Sequence, residues 1–104
     1  MLTPAVSAID ASGIVAIVRG PFLPRIDAVV EALIAGGVRA IEISLTSPKA
    51  EEQIERAAAT AGPRASIGAG TVIEARQVDA VFRRGATFIV SPIVEPLVIT
   101  SVGV

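Results

Sequence analysis

Two kinds of segment alternate along this chain. Short runs rich in β-branched residues are separated by longer stretches in which apolar residues recur every three or four positions. The short runs are typical of buried strands, and the longer stretches are typical of helices that cover a sheet. The alternation predicts an α/β domain with a parallel sheet. We place its four strands at residues 14–19, 38–45, 65–71 and 86–91.

Helices are expected between these strands. The first spans residues 24–35 and ends before a pair of glycines. The second is expected to have Ser47 as its N-cap and to occupy residues 48–61, because serine followed by proline is a frequent helix start. Thr71 is the expected N-cap of the third helix, over residues 72–84.

The pattern breaks near the carboxyl end of the given sequence. A fourth helix would begin around Glu95 and Pro96, but residues 97–104 are rich in β-branched residues and poor in helix formers. A chain of 104 residues has material for one core only. We therefore expect residues 1–104 to form a single domain, made of an unfinished series of strand–helix units.

Composition narrows the classes of function. The chain is 52% hydrophobic with a formal net charge of -1 and no cluster of Lys or Arg, so we expect neither disorder nor a nucleic-acid or anionic-membrane partner. It has no Cys and no His, which removes disulfides, Ser-His catalysis and nearly every zinc site. We expect no metal and no cofactor, although Asp and Glu alone remain possible ligands. Because apolar runs are short and no basic leader begins the sequence, we expect a cytoplasmic protein.

Glu42 is the residue that most needs an explanation. Alternate side chains of a strand share a face, so Glu42 is expected on the face opposite Ile41 and Ile43. Burying a carboxylate without a partner is costly. Two explanations stay open from the residues alone: a salt bridge to Arg19 or Arg39, and an acid–base role in catalysis.

Polar residues also end the other predicted strands. Arg19 ends the first, Thr71 ends the third, and Ser91 and Pro92 end the fourth. The carboxyl ends of parallel strands meet at one edge, where barrels and open α/β sheets bind their ligands. Each residue taken singly has an ordinary explanation, such as solvation or capping, but with Glu42 they predict a ligand site.

Residues 68–71 read Gly-Ala-Gly-Thr at a strand-to-helix junction. A dinucleotide-binding loop would need a third glycine, and Ile73 occupies that position. We interpret the segment as a tight strand exit whose small side chains leave room for a ligand.

Five segments of the sequence carry a resemblance to a known family: residues 14–20, 35–43, 47–48, 67–72 and 88–92. In this order and spacing they closely resemble the amino-terminal half of the 2-keto-3-deoxy-6-phosphogluconate aldolases, and most closely the branch that acts on the galactonate analogue. The resemblance covers residues 12–97, and residues 98–104 depart from it.

The resemblance implies an aldehyde-lyase built as a (β/α)8 barrel, of which this chain supplies about the first four units. In such class I aldolases a lysine forms a Schiff base with a 2-keto-3-deoxy-6-phospho sugar acid, and a glutamate shuttles protons, giving pyruvate and glyceraldehyde 3-phosphate. By resemblance Glu42 is the catalytic glutamate, Arg19 is a substrate-contacting arginine and Thr71 lines the pyruvate end. We expect Ser91 and Pro92, at the end of the fourth strand, to bind the substrate as well. The implied partners are that sugar acid or pyruvate and further copies of the protein, with a trimer for the complete enzyme.

Two departures from the family pattern bear on these expectations. The phosphogluconate branch has an arginine four residues after the glutamate, where this chain has Thr46, which weakens the expectation of a gluconate substrate. The family's Schiff-base lysine belongs to the sixth strand, so none is expected in this chain. Lys49 is the only lysine here, and a solvated amine in a first helical turn is a poor nucleophile.

Three hypotheses therefore remain. The chain is either part of an aldolase or a catalytically inactive half-barrel scaffold that self-associates over an uncovered inner face lined by Val15, Ile17, Ala40 and Ile89. A small flavodoxin-like sheet that binds a phosphorylated metabolite is the third reading, and only the general α/β character supports it.

Overall fold

Strands and helices alternate along the chain as the sequence pattern predicts. The structure, a computed structural model, describes residues 13–92. The strands and α-helices within them are β1 (Ala16–Val18), α1 (Ile26–Ala35), β2 (Ala40–Ser44), α2 (Ala50–Ala61), β3 (Ser66–Gly70), α3 (Ala75–Arg83) and β4 (Phe88–Val90). Short 3-10 turns, Leu23–Arg25 and Gly62–Arg64, precede α1 and follow α2. The expected fourth helix and the departure at residues 98–104 lie outside the described residues.

The four strands form one parallel sheet in the order β1-β2-β3-β4. Each strand pairs with the next one along the chain, which confirms the predicted parallel array. A flavodoxin-like sheet reverses its strand order at a switch point, so this order argues against that hypothesis. One row of paired residues crosses the sheet from Ile17 through Glu42 and Gly68 to Phe88.

One face of the sheet packs against all three helices and forms the apolar core. Ile41 and Ile43 of β2 are fully buried there. The core also contains strand residues Val18, Ile67 and Ala69 and helix residues Ile26, Val30, Ile54, Ala57, Val78 and Val81. Right-handed crossovers between neighbouring parallel strands place their helices on the same side, which explains why all the described helices lie against this face.

The opposite face, which we call the open face, carries Ile17, Glu42, Gly68, Gly70, Phe88 and Val90. Ile17 is 63% exposed and Val90 is 44% exposed, so apolar side chains meet solvent there. These face assignments follow from the register and from side-chain alternation, because residues paired across a parallel sheet point to the same side.

Of the residues expected to line an uncovered face, Ile89 lies on the other face and Ala40 is on the expected face but is not exposed. Ile89 pairs with Ala69 and packs against the core on the helix side, because β4 begins at Phe88 and alternation then sends Phe88 and Val90 to the open face. Ala40 is fully buried. Ile17 does lie exposed, as predicted.

Two predicted helix caps are wrong. The second helix begins at Ala50, with Lys49 at the N-cap position, and the Ser47 hydroxyl accepts a hydrogen bond from the distant Gly20 N–H instead. The third helix begins at Ala75, three residues later than expected. Its start is stabilised by Gln77, whose Oε1 accepts from the backbone N–H of Glu74 at 3.0 Å. In both cases a tertiary contact or a later cap replaced the local motif.

The helices at positions 26–83 are short. The longest has 12 residues, and none of those described combines the length and the apolar character that crossing a bilayer requires.

Candidate functional site

Most of the candidate residues follow strands directly. Arg19 follows β1, Thr71 follows β3, and Ser91 follows β4, next to Pro92. Glu42 lies inside β2 rather than at its end. Because the strands are parallel, the topology gathers the residues after them at one edge of the sheet, with Glu42 one row below that edge on the open face.

Glu42 has the orientation that strand alternation predicts. It is 7% exposed, on the face opposite the buried Ile41 and Ile43. Burial raises the pKa of the Glu42 carboxyl above its ordinary value, and the positive charge of Arg19 opposes part of that rise. Within residues 13–92 the carboxylate makes no hydrogen bond or salt bridge. With a raised pKa, this carboxyl binds a proton more readily than a solvated glutamate does, which suits a group that accepts and returns protons.

The space beside Glu42 comes from Gly70. A Cβ atom added to Gly70 would collide with the Glu42 carboxyl group, so the neighbouring strand can have no side chain there. An added Cβ on Gly68 would likewise collide with the ring of Phe88. The glycines make room for the protein's own side chains: Gly70 accommodates the Glu42 carboxyl and Gly68 the Phe88 ring. That they also leave room for a ligand stays a prediction.

The salt-bridge explanation for Glu42 is only partly supported. The Arg39 guanidinium donates to the carbonyl oxygens of Val38 at 2.9 Å and Ile34 at 3.0 Å, so it is used elsewhere. Arg19 is exposed and acts on Glu42 through its charge, and none of the ion pairs in the described part of the chain joins the two. A tight buried ion pair is not what holds Glu42 in this sheet.

Three hydroxyl groups meet at the carboxyl ends of β2 and β3. Ser44, fully buried, has its Oγ 2.7 Å from Thr46 Oγ1 and 3.2 Å from Thr71 Oγ1. The Thr46 N–H also donates to Ser44 Oγ, at 3.3 Å. Sequence reasoning did not predict this cluster, although Ser44 shares the strand face of Glu42. Hydroxyl groups both donate and accept, so together they suit a carboxylate or a keto oxygen.

Thr71 has an unusual backbone conformation. Its φ is 59°, in the left-handed region that a β-branched residue rarely adopts. Such a conformation costs about 1–3 kcal/mol and is found most often at functional sites. Its hydroxyl contact with Ser44 fits that pattern.

Ser91 and Pro92 have the position that the sequence predicts, directly after β4. Ser91 is half-buried and Pro92 is exposed. The end of β4 is tied to β3 through the Val72 N–H, which donates to the Val90 carbonyl oxygen at 3.2 Å.

Lys49 lies on the surface beside the start of α2. It is exposed, has a φ of 52° and precedes the first residue of α2. A cleft of about 380 Å3 opens beside it between α2 and α3, lined also by Glu52, Gln77 and Arg84, and Glu42 is not part of its lining. Among residues 13–92 no group of three or more His, Cys, Asp or Glu could hold a metal ion.

Comparisons with known proteins decide the family. The sequence model of the family described as "Aldolase: KDPG and KHG aldolase" matches residues 6–102. The chain belongs to this aldolase family. The 2-dehydro-3-deoxy-6-phosphogalactonate aldolase of Escherichia coli K12 is 43% identical over 79 residues, which are 76% of this chain and 38% of that enzyme.

Solved aldolase structures have the same fold. A native KDPGal structure superposes with a TM-score of 0.82 at 40% identity, covering 86% of this chain and 43% of the other. KDPG aldolase from Legionella pneumophila, with pyruvate captured as a covalent carbinolamine, gives a TM-score of 0.80 at 32% identity, covering 96% and 48%. The chain thus spans less than half the length of these family members.

Proposed function

We propose that this chain provides the proton-transfer and substrate-binding part of a class I aldolase. The reaction is the cleavage of a 2-keto-3-deoxy-6-phospho sugar acid to pyruvate and glyceraldehyde 3-phosphate through a Schiff base. The observation that carries the proposal is the Glu42 carboxyl, buried on the open face with a raised pKa and no bonding partner among residues 13–92. Family membership supports the same reaction, since the Legionella relative holds pyruvate as a covalent carbinolamine.

In this proposal Glu42 moves protons, and the residues at the strand ends bind the substrate. Thr71, with Ser44 beside it, would hold the pyruvate end, while Arg19, Ser91 and Pro92 would contact the remaining part of the sugar acid. The Schiff-base lysine would come from outside this chain, because Lys49 is exposed and its amine is solvated. The architecture would be the first four units of an eight-stranded barrel, and the location cytoplasmic.

The proposed substrate is that of the galactonate branch of the family. Thr46 is bonded to Ser44 and carries no charge, so it offers no cationic group to a substrate carboxylate at the position where the phosphogluconate branch has arginine. This supports the phosphogalactonate epimer as the substrate.

A chimeric enzyme tests the proposal. Residues 13–92 would replace the matched segment of the Escherichia coli galactonate-branch relative, and pyruvate release would be measured. We expect cleavage of the phosphogalactonate substrate, and Glu42→Gln should lower kcat by about 10²- to 10⁴-fold because the proton shuttle is lost.

Glu52→Gln is the matched control, because it makes the same change at an exposed position on α2. It should leave kcat unchanged. An active chimera that keeps its kcat with Glu42→Gln would refute the assigned proton shuttle. The 104-residue chain alone should release no pyruvate, and borohydride should trap no pyruvate on Lys49.

A second candidate function is a half-barrel scaffold that pairs with another copy of this chain. The exposure of Ile17 and Val90 on the open face favours it, since apolar surface of this kind drives association. A two-fold axis parallel to the strands would set β4 of one copy beside β1 of the other with all strands still parallel. A formal net charge of -1 opposes such pairing only weakly.

Sedimentation of the 104-residue chain at about 100 micromolar distinguishes the states. We expect a dimer or a larger homo-oligomer that Ile17→Lys dissociates. Ile73→Lys is the control, because Ile73 is 46% exposed but lies in the loop before α3. A wild-type monomer would refute association.

A further inference from the structure

Gly20, the residue after Arg19, has both of its backbone polar groups bonded to side chains from another part of the chain. Its N–H donates to Ser47 Oγ at 3.0 Å. Its carbonyl oxygen accepts from Gln53 Nε2 at 2.9 Å. Ser47 is 6% exposed and Gln53 is fully buried, so water does not compete for these bonds. The segment after β1 is thus held by the segment that opens α2.

A glutamine at this buried position is energetically unfavourable. Its Nε2 also donates to the Pro48 carbonyl oxygen at 2.9 Å, while its Oε1 is buried with no hydrogen-bond partner among the described residues. An amide that buries an unsatisfied oxygen costs stability, and an apolar side chain of the same size would avoid that cost. The benefit of glutamine here is its two donated hydrogen bonds, which tie Gly20 to Pro48.

The segment that is held needs such support. Strand β1 has three residues and ends directly before Arg19, and among residues 13–92 it pairs with β2 alone. Gly20 has a φ of 139°, which only glycine adopts readily, and an added Cβ would come within 3.0 Å of the Phe22 ring. A short edge strand followed by a glycine would fray without a restraint, and Arg19 would move with it.

We propose that Ser47 and Gln53 are positioning residues that hold Gly20 and thereby fix Arg19 at the end of β1 relative to Glu42. The two bonds hold the N–H and the carbonyl group of one residue, so they restrict both its displacement and its rotation. The inference rests on the proposed aldolase function only for the use that the site makes of Arg19. The hydrogen bonds from Ser47 and Gln53 to Gly20 do not depend on that proposed function.

The test measures the pKa of the Glu42 carboxyl from its carbon chemical shift as a function of pH in the 104-residue chain. Arg19→Gln sets the scale: removing the cation should raise the pKa of Glu42. Gln53→Met and Ser47→Ala should also raise the pKa of Glu42, each by less than Arg19→Gln does. Amide hydrogen exchange at Gly20 should become about tenfold faster in Ser47→Ala, since one buried hydrogen bond is lost.

A double variant separates positioning from a general effect of substitution. In the Arg19→Gln background, Gln53→Met should cause no further change in the pKa of Glu42, because the group it positions is gone. Thr60→Val is the matched control on α2. It removes the hydrogen bond that Thr60 donates to Asp27 Oδ1 at 2.9 Å, and it should leave both the Glu42 pKa and Gly20 exchange unchanged.

The inference is overturned if Ser47→Ala and Gln53→Met leave the pKa of Glu42 unchanged, or if Gln53→Met raises it equally without Arg19. If Gln53→Met does not fold, the same criteria are applied to Ser47→Ala alone and with Arg19→Gln. None of these measurements needs a substrate. An inactive chimera would therefore count against the proposed function and leave this result in place.

Discussion

The two faces of the sheet differ although adjacent residues of the same strands build them. In β2, Ile41 and Ile43 point into a core closed by three helices, and Glu42 between them points to the open face. On the helix face, apolar side chains from strands and helices fill the space, and burial supplies stability. On the open face a carboxyl, two glycines and exposed apolar groups lie together. The comparison separates the face that stabilises the fold from the face on which the proposed chemistry would take place.

Two carboxylates extend the contrast beyond the sheet itself. Asp27, on the outer surface of α1, accepts hydrogen bonds from Thr60 and Arg56, and these lower the pKa of its carboxyl. Glu42 on the open face has its pKa raised by burial. Acid titration should therefore move the stability of the fold in opposite directions at the two sites.

The largest expected effect on stability comes from truncating a side chain on the helix face and comparing it with a truncation on the open face. Ile43→Ala should lower the free energy of unfolding by about 2–5 kcal/mol, because it leaves a cavity between the sheet and the helices. Ile17→Ala, on the open face and 63% exposed, should change it by less than about 0.5 kcal/mol. Urea unfolding measures both. Equal losses would mean that the open face is as tightly packed as the core.

The next effect tests how closely the open face is fitted around Glu42. Gly70→Ala should destabilise the fold by about 1–3 kcal/mol, because the new methyl group collides with the Glu42 carboxyl. In a Glu42→Ala background the same substitution should cost much less, since the colliding atoms are absent. Additive losses in the double variant would show that Gly70 is required for another reason.

A smaller effect concerns the pH dependence of the open face. The folded-state pKa of Glu42 is raised, so the folded chain holds this proton more tightly than the unfolded chain, and stability falls as pH rises past the ordinary value of 4.5. Glu42→Gln, which cannot ionise, should match wild type in acid and be more stable at pH 7. Unfolding curves from pH 3 to pH 8 would show the divergence, and parallel curves would contradict it.

The smallest effect is expected on the helix surface and has the opposite sign. Asp27 has a lowered pKa, so its contribution is present above its ordinary value of 3.8 and is lost as pH falls through the folded-state pKa. Asp27→Asn should thus be slightly less stable than wild type at pH 7 and equal to it in strong acid. The partners are about half exposed, so added salt should reduce the difference.

Local signals in the sequence were sufficient to predict the strands, the helices and their order along the chain. The β-branched runs and the three-to-four residue spacing predicted four parallel strands and the helices between them, because side-chain periodicity is a property of the backbone conformation itself. The same alternation predicted that Glu42 faces away from Ile41 and Ile43. Strand and helix ends were predicted less well, as the late starts of α2 and α3 show.

The tertiary structure alone decided which distant groups meet. Ser47 looked like a helix cap, yet its hydroxyl bonds to Gly20, 27 residues away. Gln53 carried no signal, because nothing near it in sequence shows that α2 buries it against the end of β1. Nothing local showed that Gly70 makes room for the Glu42 carboxyl, because that contact depends on the register between β2 and β3. The sequence by itself determined periodicity and therefore faces, whereas contacts between strand ends depend on register and crossover geometry, which are fixed only when the sheet and helices pack together.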